Sequence, residues 1–159
     1  MFVPRIYIET SIPSFYCTTR PDAESVARKA WTQHWWDFKR EGCEVFTSEI
    51  VIEELENGDY PTKKGALALI DRIPILSVEP AVLEITRTYT RHFLMPAKPL
   101  GDAMHLALAS FHRCDFLLTW NCEHLANANK FQHIRRVNSM LGLFIPSLVT
   151  PLELLGENP

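Results

Sequence analysis

Gly101-Asp-Ala-Met-His105-Leu-Ala-Leu-Ala-Ser110-Phe-His-Arg-Cys-Asp115-Phe-Leu-Leu-Thr-Trp120-Asn121 holds the architecture of this chain in miniature. Ala103, Leu106, Ala107, Leu108 and Ala109 make a helix with too much apolar surface to lie open to water, so it must pack hard against a sheet. Residues 115–119 follow as a strand that is apolar through its middle, as a central strand buried on both faces is. Residues 120–124 are the turn that closes it. Asp102 stands in the first turn of the helix and Asn121 just past the strand, so both polar groups lie at element boundaries.

The same alternation extends in both directions. Arg5-Ile-Tyr-Ile8 is β-rich and ends at Glu9-Thr-Ser11, where Thr10 or Ser11 is placed to cap the next helix. Over residues 22–40, Val26, Ala30, Trp31, Trp35 and Phe38 recur at spacings near three and four, which predicts an amphipathic helix capped by Asp22 and ended by Gly42. Trp31 and Trp35 share its inner face, whereas Trp36 falls off it and is the candidate for outside interactions. Cys43-Glu-Val-Phe46 predicts a second strand leading into Thr47-Ser48, with Ser48 capping a helix that carries Ile50, Val51 and Leu55. After a break at Gly58, Asp59 and Pro61 come a helix over residues 63–72, a strand over 73–78, and a helix from Glu79-Pro80 to about Phe93. Pro96 and Pro99 mark a loop before Gly101. Beyond Asn121 the pattern predicts helical patches over 122–127 and 129–141, a last strand Leu143-Phe-Ile145, and a polar tail. Strands alternating with helices favour a parallel sheet with helices on both faces.

With 159 residues the chain has the size of one ordinary domain, residues 1–159. Its 47% hydrophobic and 22% charged residues suit a globular protein, which argues against disorder. The absence of a long apolar run or a signal-type N-terminus leads to the expectation of a cytoplasmic protein. Cys17, Cys43, Cys114 and Cys122 form no Cys-x-x-Cys pair and are expected to be reduced and mostly buried. A net charge of −3 argues against nonspecific wrapping of nucleic acid but not against a nucleic-acid substrate, because an acidic metal site contributes several negative charges that the ion partly neutralises. Lys39-Arg40, Lys63-Lys64, Arg87, Arg91 and Arg135-Arg136 are either local patches for phosphate or ordinary solvated surface.

Four oxygen-bearing side chains sit where an open α/β sheet collects its ligands, beyond the carboxyl ends of strands: Glu9, Glu54, Asp102 and Asn121. Carboxylates converging there suit a hard divalent cation, Mg²⁺ or Mn²⁺. Such ions can activate a water, neutralise a phosphate and assist a leaving oxygen, which is what phosphodiester hydrolysis requires. Taken singly, each residue also has an ordinary explanation: a solvated strand-end charge at Glu9, a surface helix acid at Glu54, an acid favoured by the helix macrodipole at Asp102, and a turn residue at Asn121. Glu49 and Glu53 compete with Glu54 as the acid of its helix. His105 follows Asp102 by three residues and so shares its face, although hard Mg²⁺ prefers oxygen and packing is the simpler role. His124 is placed to face the cleft from its turn. Thr10, Ser11 and Thr119 either position water and phosphate or serve as capping and strand-edge hydroxyls. No Asp-x-Asp motif or phosphate-cradling Gly-rich loop supports a phosphatase.

Tyr7-Ile-Glu-Thr-Ser11, Ser48 followed by Glu54-Leu55 and Gly58, Asp102-Ala-Met-His-Leu-Ala-Leu-Ala109, and Leu117-Leu-Thr-Trp-Asn121 occur in the order and spacing of PIN-domain proteins, and over nearly the whole chain resemble the VapC-type toxin branch. The resemblance implies an α/β/α sandwich with a mainly parallel sheet and an Mg²⁺- or Mn²⁺-dependent endoribonuclease site formed by Glu9, Glu54, Asp102 and Asn121. It also implies the toxin role in a type II toxin–antitoxin pair, with RNA as substrate, an antitoxin protein as partner, and pairing of two subunits, which the apolar helix faces permit. Glu54 is favoured over its neighbours because it lies six residues after Ser48 and directly before Leu55, as in the family motif. Two positions depart from that motif. Glu9 stands where the family commonly has Asp, and Asn121 removes one formal charge, so weaker metal binding is expected. A catalytically weakened PIN-like module that binds RNA or protein is the alternative.

Overall fold

In the computed structural model, which describes residues 1–98 and 100–156, five parallel strands form one sheet in the order β3-β2-β1-β4-β5. The strands are β1 (Arg5–Ile8), β2 (Glu44–Ser48), β3 (Ile75–Leu76), β4 (Phe116–Leu118) and β5 (Ser147–Val149). Between them run α1 (Ser11–Cys17), α2 (Ala23–His34), α3 (Glu49–Glu56), α4 (Lys63–Ile70), α5 (Pro80–Arg91), α6 (Gly101–Phe111) and α7 (Ala128–Met140). The protein is a three-layer α/β/α sandwich. Parallel crossovers are right-handed, so moving outward from β1 to β3 puts α1–α4 on one face, and returning through β4 to β5 puts α5–α7 on the other. The observed packing agrees: α1 meets α2 and α4, α3 meets α4, and α5 meets α6.

Ile6, Tyr7 and Ile8 of β1 and Leu117 and Leu118 of β4 are buried, because the strands at the centre of a parallel sheet have a helix layer on each side. On the α5–α7 face a polar knot ties three helices together. Tyr89 donates to Asn138 Oδ1 (2.6 Å), Asn138 Nδ2 donates to Ser110 Oγ (2.9 Å) and to the Phe144 carbonyl (3.0 Å), and Ser110 donates back to Leu106 O (2.7 Å). Each buried polar atom of the knot is thereby satisfied. By contrast, Thr47 Oγ1 on β2 is buried with no partner among the described residues.

Several expectations need correction. The helix beginning at Asp22, whose carboxylate caps it through Ser25 N (3.0 Å), turns regular only as far as His34. Residues Trp35–Lys39 form a π-turn, and its extra residue per turn rotates the face. Trp36 is carried inward beside Trp35 and Tyr16, and Phe38 is left exposed, so Trp36 is not an outside interaction residue. β2 includes Thr47 and Ser48 rather than stopping at Phe46, while β3 pairs only at Ile75 and Leu76. Residues 122–127 form a turn rather than a helix. The last strand is Ser147–Val149 rather than 143–145: residues 143–146 return from Gly142, which has a left-handed φ of 66°, and the first sheet-side bond comes after Pro146, from Ser147 N to Asp115 O (2.9 Å). Neither Thr10 nor Ser11 caps α1 with its side chain. Of the cysteines only Cys114 is buried, and Cys122 is exposed. Pro99 and the last three residues of the polar tail lie outside the described residues. Among the described residues, no helix is long and apolar enough to cross a membrane.

Candidate active site

The strand order reverses at β1 and β4, where connections leave in opposite directions and open a crevice at the carboxyl ends. Glu9 is the first residue beyond β1, and its backbone N–H still reaches Leu118 O (3.3 Å). Its side chain is 95% shielded, being 5% exposed. Oε1 accepts from Ser11 N (2.8 Å) and from Ser11 Oγ, and Ser11 Oγ accepts in turn from Trp120 N (2.8 Å). Ser11 therefore links the ends of the two central strands, which explains why its hydroxyl is not spent on capping α1. Burial pushes the Glu9 carboxyl up from its ordinary value of 4.5, against the opposing pull of His105 and the hydroxyls of Ser11 and Thr119. Among the described residues, no Lys, Arg or His forms an ion pair with it.

Glu54 approaches from α3. Its Oε1 accepts from Thr10 Oγ1 (2.8 Å) and lies 2.5 Å from His105 Nε2 on α6. Glu49 and Glu53, the competing acids, are exposed and make neither contact. Behind Glu54 runs a buried polar line: His105 Nδ1 stands 2.7 Å from the Tyr7 hydroxyl, which stands 2.8 Å from Ser48 Oγ, and Ser48 Oγ accepts from Val51 N as the cap of α3 (3.4 Å). With His105 doubly protonated, the imidazolium donates to both Glu54 and Tyr7, and Tyr7 donates to Ser48. With His105 neutral and Nε2 protonated, Tyr7 donates to Nδ1 and Ser48 donates to Tyr7. Burial would push His105 down, but the Glu54 hydrogen bond and the charges of Glu9, Glu54 and Asp102 outweigh it, so the net shift is up from 6.5. For Glu54 burial raises and the bond to His105 lowers, and the net shift is down from 4.5.

At position 101 any side chain would have to displace the Glu54 carboxylate. A Cβ there would stand 2.8 Å from Glu54 Oε2, closer than carbon and oxygen tolerate. The start of α6 is thus pressed against the Glu54 carboxylate, and the next residue, Asp102, faces the turn after β4, where its Oδ2 lies 3.0 Å from His124 Nδ1. Asn121 builds that turn. Its Oδ1 accepts from Glu123 N (3.2 Å) and His124 N (3.0 Å), its backbone N–H donates to Thr119 Oγ1 (2.9 Å), and its carbonyl takes Leu125 N and Ala126 N. This is an Asx turn, and it explains why residues 122–127 do not form a helix. Behind it, Trp120 stacks on Trp31, donates Nε1–H to Thr32 Oγ1 (2.7 Å), and lies under the Arg28 guanidinium.

Glu9, Glu54, Asp102 and Asn121 therefore all arrive at the carboxyl side of the central strands, but not as a closed set of ligands. Glu54 and Asp102 each hold a histidine, and the Asn121 side-chain oxygen is spent on the turn. Among the described residues, no three His, Cys, Asp or Glu side chains stand close enough together to grip a metal ion. Glu54 also borders an open depression of about 500 Å³ with Glu53, Glu56 and Asn57, whereas a hollow of about 490 Å³ between α7 and β5 is lined by none of the site acids. The sequence reading missed Tyr7 and underrated His105. The available signal was a phenol in the middle of the otherwise apolar run Ile6-Tyr-Ile8, since a buried hydroxyl has to find a partner. No protein-family model matches the chain, and no curated protein matches it either.

Proposed function

We propose that this chain is an Mg²⁺- or Mn²⁺-dependent endoribonuclease of the PIN-domain kind, the toxin of a type II toxin–antitoxin pair, with Glu9, Glu54 and Asp102 as the residues that would hold the cation. The observation that carries the reading is Glu9: a buried carboxylate at the switch point of a parallel sheet, with no cationic side chain paired to it among the described residues. Burying a negative charge is costly unless a counter-charge or metal compensates it. The donor set fits a hard ion, since all three groups offer carboxylate oxygen and, among the described residues, Glu54 and Asp102 are ion-paired only with histidines. A bound divalent cation supplies charge neutralisation on the phosphate and activation of the attacking water. The chain's own residues do the rest. The Ser11 and Thr119 hydroxyls oppose the burial that disfavours the charged form of Glu9, Thr10 orients Glu54, and the Asn121 turn sets the His124 ring against Asp102.

A second reading has its own support. Because Glu54 and Asp102 already have histidine partners and the acids do not close on one point, a PIN-like module with weakened catalysis that binds RNA or protein also fits. Purified protein incubated with structured and single-stranded RNA in Mn²⁺, Mg²⁺ or EDTA, beside an identically prepared Asp102→Ala variant, separates the two. Metal-dependent cutting that the variant lacks supports the nuclease. Equal cutting by both, or none, together with no Mn²⁺ uptake at millimolar concentration, supports the binding module.

A further inference from the structure

Phe93 holds a left-handed backbone, φ 56°, which brings Cβ against the following carbonyl and is usually left to glycine. It is the residue that turns the chain off the end of α5, where Leu94 N closes back on Tyr89 O (2.9 Å). The core gains nothing from its ring, which is 90% exposed. Nor is the segment slack, since Leu94 and Met95 directly after it are buried. Lys130 on α7 donates to the Leu94 carbonyl (3.0 Å), which ties the turn carrying the ring to the helix that follows the Asn121–His124 turn, on the side where His124 meets Asp102, and the charges of Asp102 and Glu123 reach the Lys130 ammonium.

Along the chain the charge beside this ring is one-sided. Between Glu84 and Asp102 the sequence carries Arg87, Arg91, His92 and Lys98 and no carboxylate, in a protein whose net charge is −3; Arg87 pairs back with Glu84, which leaves Arg91 and Lys98 as the cations flanking the ring in sequence. Arg91 has no acidic partner among the described residues. An exposed aromatic ring set among cations is how single-stranded nucleic acid is held, with bases stacked on the ring and phosphates paired with the cations. Paired bases offer no free face to such a ring. We propose that Phe93 stacks against an unpaired base of single-stranded RNA next to the phosphate that lies at Asp102, and so selects unpaired substrate. This inference rests on the ribonuclease reading.

The test is fluorescence anisotropy of a short labelled single-stranded RNA, and of its duplex, with wild type, Phe93→Ala, Phe93→Gly and Phe93→Trp in EDTA, so that binding is read without cleavage. Single-strand affinity is expected to fall about tenfold in Phe93→Ala and Phe93→Gly, the loss of one stacked base, and to be kept in Phe93→Trp. Duplex affinity is expected to be the same in all four. Phe93→Gly, freed of the left-handed strain, should melt no lower than wild type, which rules out misfolding as the cause. Wild-type affinity for single strands in the alanine and glycine variants overturns the inference and leaves the nuclease reading intact. Absence of single-strand binding by the wild type overturns the inference, and the nuclease reading falls with it only if Mn²⁺-dependent cleavage is absent as well. A loss of self-association in Phe93→Ala with unchanged RNA affinity assigns the ring to a protein contact, and also overturns it.

Discussion

His105 lies with Nε2 2.5 Å from Glu54 Oε1 and Nδ1 2.7 Å from the Tyr7 hydroxyl, so one imidazole joins the acid of α3 to the middle of the central strand. The protonation of that ring sets both the charge beside the site and the direction of every hydrogen bond behind it.

The first expectation concerns pH. A histidine whose folded-state pKa is raised adds stability that is complete below its unfolded value, near 6.5, and is lost as pH climbs through the folded value. Glu54, shifted down, adds stability that is present above 4.5 and lost as pH falls. Glu9, shifted up, costs stability as pH rises past 4.5. Metal-free protein should therefore melt at a steadily lower temperature above pH 6.5, and His105→Asn should flatten that slope. A melting temperature that rises from pH 6.5 to pH 8.5 in EDTA contradicts this assignment.

Glu9→Gln should separate fold from function. The amide keeps the shape and removes a buried charge, so the metal-free variant should melt higher than wild type at neutral pH, by roughly 2–4 °C for each kcal/mol recovered. The same change removes a carboxylate from the site, and metal-dependent RNA cleavage should drop by about 100-fold, on the order of 3 kcal/mol. Calorimetry in EDTA and a cleavage time course measure the two effects. A lower melting temperature would mean that the charged form is stabilised by the fold alone.

Gly101→Ala should leave the fold standing and disturb the chemistry. Gly101 is the first residue of α6, where only part of the advantage of up to about 1 kcal/mol that alanine has over glycine in a helix interior applies, and the new methyl occupies space 2.8 Å from Glu54 Oε2. The carboxylate is the far end of a side chain about 41% exposed, so it can swing away. Stability should change little while Mn²⁺ affinity, read by isothermal titration, falls several-fold. Unchanged affinity would remove Glu54 from the set of metal ligands.

Tyr7→Phe deletes the hydroxyl between Ser48 and His105. Leaving buried polar groups without partners costs about 1–3 kcal/mol, and the melting temperature should drop accordingly. Tyr7→Phe combined with Ser48→Ala should cost less than the two single changes added together, since both act on one hydrogen-bonded line. Additive losses would mean that the line does not act as a unit.

Where a pattern depends on one element, the sequence was readable. The apolar helix after Asp102, the Asp22 and Ser48 caps, and the run Arg5–Ile8 were all visible because a single helix face, a single side-chain oxygen or a single strand decides them. Glu9 could be placed at a strand end for the same reason. What escaped depends on contacts across the fold. Trp36 was misplaced because a π-turn changes the phase that helical spacing assumes. The strand at 143–145 was misplaced because Asn138 holds the Phe144 carbonyl in a return loop, and no local pattern reveals that bond. Residues 122–127 looked helical from composition, yet a single asparagine oxygen holds two of their N–H groups. Partner assignments such as His105 with Glu54, 51 residues apart in sequence, need the assembled sheet.

At Asn121 shape and charge come apart. The turn asks only for an oxygen that accepts Glu123 N and His124 N, and an aspartate oxygen accepts them equally well. The scaffold is therefore indifferent to whether this corner is neutral or negative, while the neighbouring Asp102–His124 pair is not. One atom, nitrogen or oxygen, works as a dial on the electrical strength of the crevice that can be turned without touching the architecture.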